Sequence, residues 1–81
     1  MAFDWLDATI PAAARARQEG ARRAASAEDI EVKARLLQRL GYPRAQALAR
    51  CQADYEWEYE LTGSRPLTAK DIKAIVHAAY A

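Results

Sequence analysis

Ala53-Asp54-Tyr55-Glu56-Trp57-Glu58-Tyr59-Glu60-Leu61 alternates apolar and acidic residues over nine positions. It holds three of the chain's seven aromatic residues and four of its eleven acids. Read with a period of two it is a strand, with Tyr55, Trp57 and Tyr59 on one face and Asp54, Glu56, Glu58 and Glu60 on the other. A strand needs a partner for its backbone groups, and no second run of this kind occurs in the 81 residues. The residues before it, Ala45 to Ala53, are good helix formers with no breaker ahead of Asp54. The next stop signal is Thr62-Gly63, with Pro66 beyond it. The expectation is one long central helix over about 44–62, with a strand over 53–61 as the alternative.

A step of about 100° per residue puts Leu48, Tyr55 and Tyr59 on one stripe of that helix and Ala49, Ala53, Trp57 and Leu61 on another. A helix with two apolar faces has two neighbours to pack on. Its charges run against the helix dipole, with Arg44 and Arg50 in the first half and Glu56, Glu58 and Glu60 near the C-terminal end. A local rule broken this consistently calls for compensation from elsewhere. The stretch Asp54, Tyr55, Glu56, Trp57, Glu58, Tyr59 and Glu60 is therefore the candidate partner-binding face. It would meet another protein with a basic surface, or a second copy of the chain in a homodimer. The competing reading is an acidic, solvated face on a core helix.

Preceding this helix, Ser26-Ala27-Glu28-Asp29 has the form of a helix start, with Ser26 as N-cap and Glu28, Asp29 and Glu31 in the first turn. Ile30, Ala34 and Leu37 form one ridge and Val32, Leu36 and Leu40 a second, together one broad apolar face. Gly41 is placed to end the helix in the left-handed conformation, and Pro43 blocks its continuation. The run Leu37-Gln38-Arg39-Leu40-Gly41-Tyr42, with Ala47 six residues after the glycine, resembles the first turn of ubiquitin-associated-type three-helix domains. That resemblance implies a helical corner. In those domains the glycine–aromatic turn is part of a binding surface. The helix after the turn is too long for that family, so no function is carried over. A DNA-binding helix-turn-helix is disfavoured as well, because phosphates would repel the four acids on the second helix.

Further out, Ala12 to Ala25 has high helix propensity and no large apolar residue, with Gly20 in its middle. It reads as an exposed helix or a partly disordered arm. Arg15, Arg17, Arg22 and Arg23 are possible nucleic-acid contacts and carry the alternative function, a nucleic-acid-associated regulator. No aromatic interleaves with them, and Glu19 sits among them, which favours a solvated or acid-pairing face. Before Pro11, Phe3, Leu6 and Ile10 share a side at helical spacing, with Trp5 close by. This is a possible docking segment for a partner's groove, competing with a terminus that covers its own domain. At the other end, Thr68-Ala69-Lys70-Asp71 has the form of a capping box, and Ile72, Ile75, Val76, Ala79 and Tyr80 give a helical stripe.

Composition sets the remaining bounds. The chain is one small domain with a net charge of +1, which offers no global argument for nucleic acid. The charge is nonetheless blocky. Residues 33–50 carry five bases and no acid, and residues 51–62 carry four acids and no base. Segments patterned in this way favour a defined mutual arrangement within or between chains. The lone Cys51 excludes an internal disulfide and fits a reducing, cytoplasmic setting. No signal peptide and no membrane-spanning run is evident.

Catalysis needs a constellation that the sequence does not assemble. His77 is the only histidine and Cys51 the only thiol. The spacings Asp54/Glu58 and Glu56/Glu60 lack the Glu–His pair that helical-bundle metal sites add. No Gly-rich phosphate loop is present. The expectation is an all-α bundle of three or four helices that is not an enzyme, binds no metal or cofactor, and acts as an adaptor, accessory subunit or inhibitor by occupying a partner's surface.

Overall fold

The computed structural model describes residues 11–81, and these form three helices and no strand. Helix α1 spans Ala12–Arg39, α2 spans Arg44–Tyr59 and α3 spans Ala69–Ala79. The alternating run is thus helical. The second helix ends at Tyr59 rather than near residue 62, and the longest helix is the first. The possible docking segment Phe3, Trp5, Leu6 and Ile10 lies outside the described residues.

The long α1 corrects one expectation. Ser26 does not start a helix, because α1 runs through it without interruption. Nothing between Ala12 and Ser26 stops a helix. Gly20 is tolerated in its interior, and the first turn closes on the Pro11 carbonyl, which accepts from the Ala14 and Arg15 N–H groups. The Ser26 hydroxyl is buried and shares a hydrogen bond of 2.8 Å with the Tyr59 hydroxyl. It ties α1 to α2 instead of capping.

The turn from α1 to α2 follows expectation. The Tyr42 N–H donates to the Leu37 carbonyl and the Gly41 N–H to that of Gln38, both at 3.0 Å. This is the paired closure that satisfies carbonyls at a helix end, and it requires a left-handed residue, which Gly41 supplies at φ 91°. Pro43 then enters α2 in an extended conformation and accepts from the Ala47 N–H. The Tyr80 hydroxyl reaches across from the end of α3 and donates to the Tyr42 carbonyl at 2.7 Å. The start of α3 is closed reciprocally, with the Asp71 N–H donating to Thr68 Oγ1 and the Thr68 N–H to Asp71 Oδ2. That backbone bond holds the Asp71 carboxyl below its ordinary value, helped by the Thr68 hydroxyl and Arg23.

The three helices pack on one another around Ile30, Ala34, Ala47, Cys51, Tyr55, Leu67, Ile72 and Val76. Ala34, Ala47 and Cys51 let α1 and α2 approach closely, while Ile72 and Val76 bring the stripe of α3 onto both. Each large aliphatic side chain buried in this way contributes about 1.5–3 kcal/mol. Tyr55 is the one large polar-tipped member. It is 2 % exposed, accepts from the Leu67 N–H at 2.7 Å and donates to the Leu67 carbonyl at 3.1 Å. One hydroxyl thus satisfies both backbone groups of a residue that enters the core from a loop.

Tyr55→Phe removes both partners of the buried Leu67 backbone groups, each worth about 1–3 kcal/mol when left unsatisfied. The variant should lose about 2 kcal/mol or more in urea denaturation. Tyr80→Phe, which leaves only the half-buried Tyr42 carbonyl without its hydroxyl donor, should lose about 1 kcal/mol. Equal losses would mean that Leu67 is not held as described.

Candidate functional site

The apolar ridges of α1 have different fates. Ile30 and Ala34 are buried and Leu37 packs against the core. Val32, Leu36 and Leu40, expected on the same buried face, are instead 60 %, 53 % and 65 % exposed. The reason is geometric. A helix packed on two neighbours through small residues buries a narrow stripe, and a ridge displaced by about 100° or more from the middle of that stripe has nothing to meet. Across from this ridge, α2 presents Arg50, Asp54 and Trp57, at steps of four and three residues that keep them on one side of a helix. Trp57 is 79 % exposed, and Leu61, just past the helix end, is 98 % exposed.

The two edges enclose a groove of about 260 Å³ lined by Lys33, Leu36, Leu37, Leu40, Tyr42, Arg50 and Asp54. No residue of α3 lines it. α3 occupies the other side of the hairpin, where Ala69 and Ile72 meet Gln52, Tyr55 and Glu56. The α1–α2 hairpin is therefore covered on one side and open on the other. Tyr42 closes the turn end of the open side. The Arg50 guanidinium lies over its ring at 5.5 Å and donates to its hydroxyl at 3.2 Å.

The expected binding residues divide between core and surface. Tyr55 belongs to the core. Tyr59 is half-buried, with its ring 4.7 Å from that of Tyr55 and its hydroxyl on Ser26. Glu56 faces the loop after α2, where Arg65 clasps it through Nε at 3.0 Å and Nη2 at 2.8 Å. Asp54, Trp57, Glu58 and Glu60 are exposed. A helix sets residues two apart about 200° around its axis, so Tyr55 and Trp57 point nearly opposite ways. The three aromatics do not form one surface.

The four arginines are not gathered on one surface either. Arg15 and Arg17 lie on the exposed N-terminal part of α1. Arg22 donates to Ser64 Oγ at 3.5 Å, while Arg23 donates to the Pro66 carbonyl and pairs with Asp71 at 3.0 Å. Arg22 and Arg23 thus hold the 62–67 loop and the start of α3 against α1. His77 is half-exposed near the end of α3, and no group of three or more His, Cys, Asp or Glu able to hold a metal occurs among the described residues. Also among those residues, no helix is long and apolar enough to cross a membrane.

Cys51 is buried beneath the groove. Burial pushes its thiol above the ordinary 9.0, with Lys33 acting in the opposite direction and Asp54 reinforcing the rise. Burial raises the Tyr55 phenol above 10.0 in the same way.

Val32, Leu36 and Leu40 are the surface residues that sequence reasoning assigned to the core. The signal for their exposure is the width of the apolar face of α1, which exceeds what two neighbours through Ala and Cys contacts can cover. Comparisons with protein-family models, curated proteins and solved structures return no match to this chain.

Two measurements check this assignment of inside and outside. Trp57→Ala should change the stability of the folded chain by no more than about 0.5 kcal/mol, as exposed substitutions do, in contrast to Tyr55→Phe. The second is pH dependence. Cys51 and Tyr55 have folded-state values above their unfolded ones, so their contribution to stability is full below pH 9 and is lost as pH rises through the raised values. The urea midpoint should fall as the solution is taken from pH 8 into the alkaline range. At pH 8, iodoacetamide should alkylate Cys51 only after urea is added.

Proposed function

We propose that this chain is a non-enzymatic protein-interaction module, an adaptor, accessory subunit or inhibitor, whose working surface is the open side of the α1–α2 hairpin. The observation that carries this reading is the placement of Val32, Leu36, Leu40, Trp57 and Leu61. Five large apolar side chains stand more than half exposed, and two of them, Leu36 and Leu40, line the groove that α3 leaves uncovered. Scattered apolar residues are ordinary on a protein surface, but an apolar stripe along two adjacent helices around a groove is what an interaction face looks like. Trp57 suits the role of anchor, being large, rigid and the most exposed aromatic of the α2 stretch. The partner-binding face foreseen at Asp54–Glu60 is retained at Asp54 and Trp57 and extended across the groove to α1.

Site-specific photo-crosslinking tests the reading. p-Benzoylphenylalanine is placed at Trp57, and in separate chains at Arg17 and His77 as controls away from the groove. The chains are irradiated in the cells that make the protein natively. A discrete polypeptide adduct from position 57 that is missing from the controls is the expected result. No adduct from position 57, or the same adducts from all three positions, would remove the proposal.

A further inference from the structure

We propose that the open α1–α2 face is occupied by a second copy of the chain, related by a two-fold axis that lies in the interface and crosses the helices. Each helix would then lie antiparallel to its own counterpart. This rests on the reading of that face as the interaction surface and names what covers it.

The charge layout carries the argument. The antiparallel hairpin brings segments of like charge side by side. Glu28, Asp29 and Glu31 of α1 lie at the same end as Asp54, Glu58 and Glu60 of the α2 region, Arg35 and Arg39 lie at the turn end with Arg44 and Arg50, and Lys33 lies next to the middle. The hairpin is therefore acidic at one end and basic at the other, with Asp54 and Arg50 of this pattern lining the open groove. Of the ion pairs Arg23–Asp71, Glu31–Arg35 and Glu56–Arg65, none joins α1 to α2, and none involves Asp29, Arg39, Arg50 or Asp54. A surface that is bipolar along its length is complementary to itself when reversed end for end. Of the two-fold axes that lie in the interface, one parallel to the helices stacks base on base and acid on acid. The one perpendicular to them stacks base on acid.

The register follows from the hairpin. Ser26 is level with Tyr59 through their hydrogen bond, and Leu36 shares the groove with Arg50. Between those two levels lie Ala34 and Cys51, both buried beneath the face. An axis at that level sets Asp29 against Arg39 of the second copy, Val32 against Leu36 of the second copy, and Arg50 against Asp54 of the second copy. Val32 and Leu36 thus fall on each other, and the pairs Asp29–Arg39 and Arg50–Asp54 join opposite charges on both sides of the axis, while Lys33 beside the axis meets no acid. The apolar contacts supply affinity and the exposed ion pairs mainly orientation.

Sedimentation equilibrium on the full chain tests the proposal. The face is two helices wide and about 22 Å long from Ala25 to Leu40, at the small end of stable interfaces, so dissociation in the range of about 1–100 μM is expected. The wild type should move from the 9.0 kDa chain mass to twice that value across this range. Leu36→Glu should weaken association by about tenfold or more with an unchanged circular-dichroism spectrum. Leu40→Ser serves the same purpose if Leu36→Glu does not fold. Arg39→Glu and Asp29→Lys should each weaken self-association, because each sets like charges together twice, and an equimolar mixture of the two should restore it as a heterodimer.

A wild type that stays monomeric at about 1 mM, where such a dimer holds about four fifths or more of the chain, overturns the proposal. So does a dimer that persists in both leucine variants. A mixture that associates no better than its components removes the end-for-end orientation on which the proposal stands. The crosslink at position 57 separates this inference from its premise. An adduct to a different polypeptide together with a wild-type monomer keeps the interaction face and removes the second copy, whereas no adduct removes both.

Discussion

The Tyr55 hydroxyl holds the loop between α2 and α3 in place, and the position of α3 depends on it. Leu67 must enter the core for the chain to turn back along the hairpin, and its N–H and carbonyl are buried in doing so. A buried, unpaired backbone group costs about as much as a lost hydrogen bond. One phenol, accepting from the N–H and donating to the carbonyl, answers both. With Leu67 fixed, Thr68 is positioned to begin α3 through its reciprocal bonds with Asp71, and Arg23 of α1 reaches the same carboxylate. Arg65, two residues before Leu67, is fixed on Glu56, one residue after Tyr55. The loop is thus fastened at Arg65 and Leu67 to two successive residues of α2.

This use of Tyr55 also explains the alternating stretch. On a strand its aromatics would act together. On a helix they separate, with Tyr55 inside, Tyr59 at the margin where it meets Ser26, and Trp57 outside. The acids separate as well. Glu56 neutralises Arg65, while Asp54 lines the groove on the opposite side of the hairpin. The apparent conflict with the α2 dipole is eased at one position by Arg65, which lies outside the helix and whose charge is invisible to a reading of the helix alone. Trp57 has no such role in the fold. The proposed interaction face gives it one.

Much of the fold was legible because local signals were unopposed. Gly41 and Pro43 mark a corner that any backbone of this kind must turn with a left-handed residue, and Thr68 with Asp71 marks a helix start whose partners are three residues apart. Ser26 shows where local reading fails. Its capping chemistry was correct in type, but the Ala-rich segment before it continues the helix at little cost, since adding residues to an anchored helix is far easier than starting one. A hydroxyl already bonded to Tyr59 has no reason to interrupt it. The candidate surface was legible only in part for a related reason. Period and hydrophobicity show which residues share a side of α1, but whether Val32, Leu36 and Leu40 are covered depends on where α3 packs. That is decided by Leu67 and Ile72, 27 to 40 residues away. The tip of Tyr55 was likewise unreadable, because its partner is backbone.

The charge blocks are where sequence order and spatial order diverge most. Along the chain they alternate, acidic at 26–32, basic at 33–50 and acidic at 51–62, and alternation suggests that neighbouring blocks neutralise one another. Folding back at Gly41 reverses this. The hairpin turns within the basic block and sets its two halves together, and the two acidic blocks that flank it come level with each other. The pairing that sequence order promises is thus withdrawn by the turn. The ion pairs Glu31–Arg35, Glu56–Arg65 and Arg23–Asp71 lie inside α1, from α2 to the loop, and from α1 to α3. Burial of the apolar core must outweigh this like-on-like arrangement in a single chain, and it does so only modestly in a domain of this size. The proposed end-reversed neighbour on the open side would relieve the repulsion at both ends at once and cover the apolar ridge with the same contact. Apolar residues alone would accept a neighbour in either orientation, and it is the charge that distinguishes them.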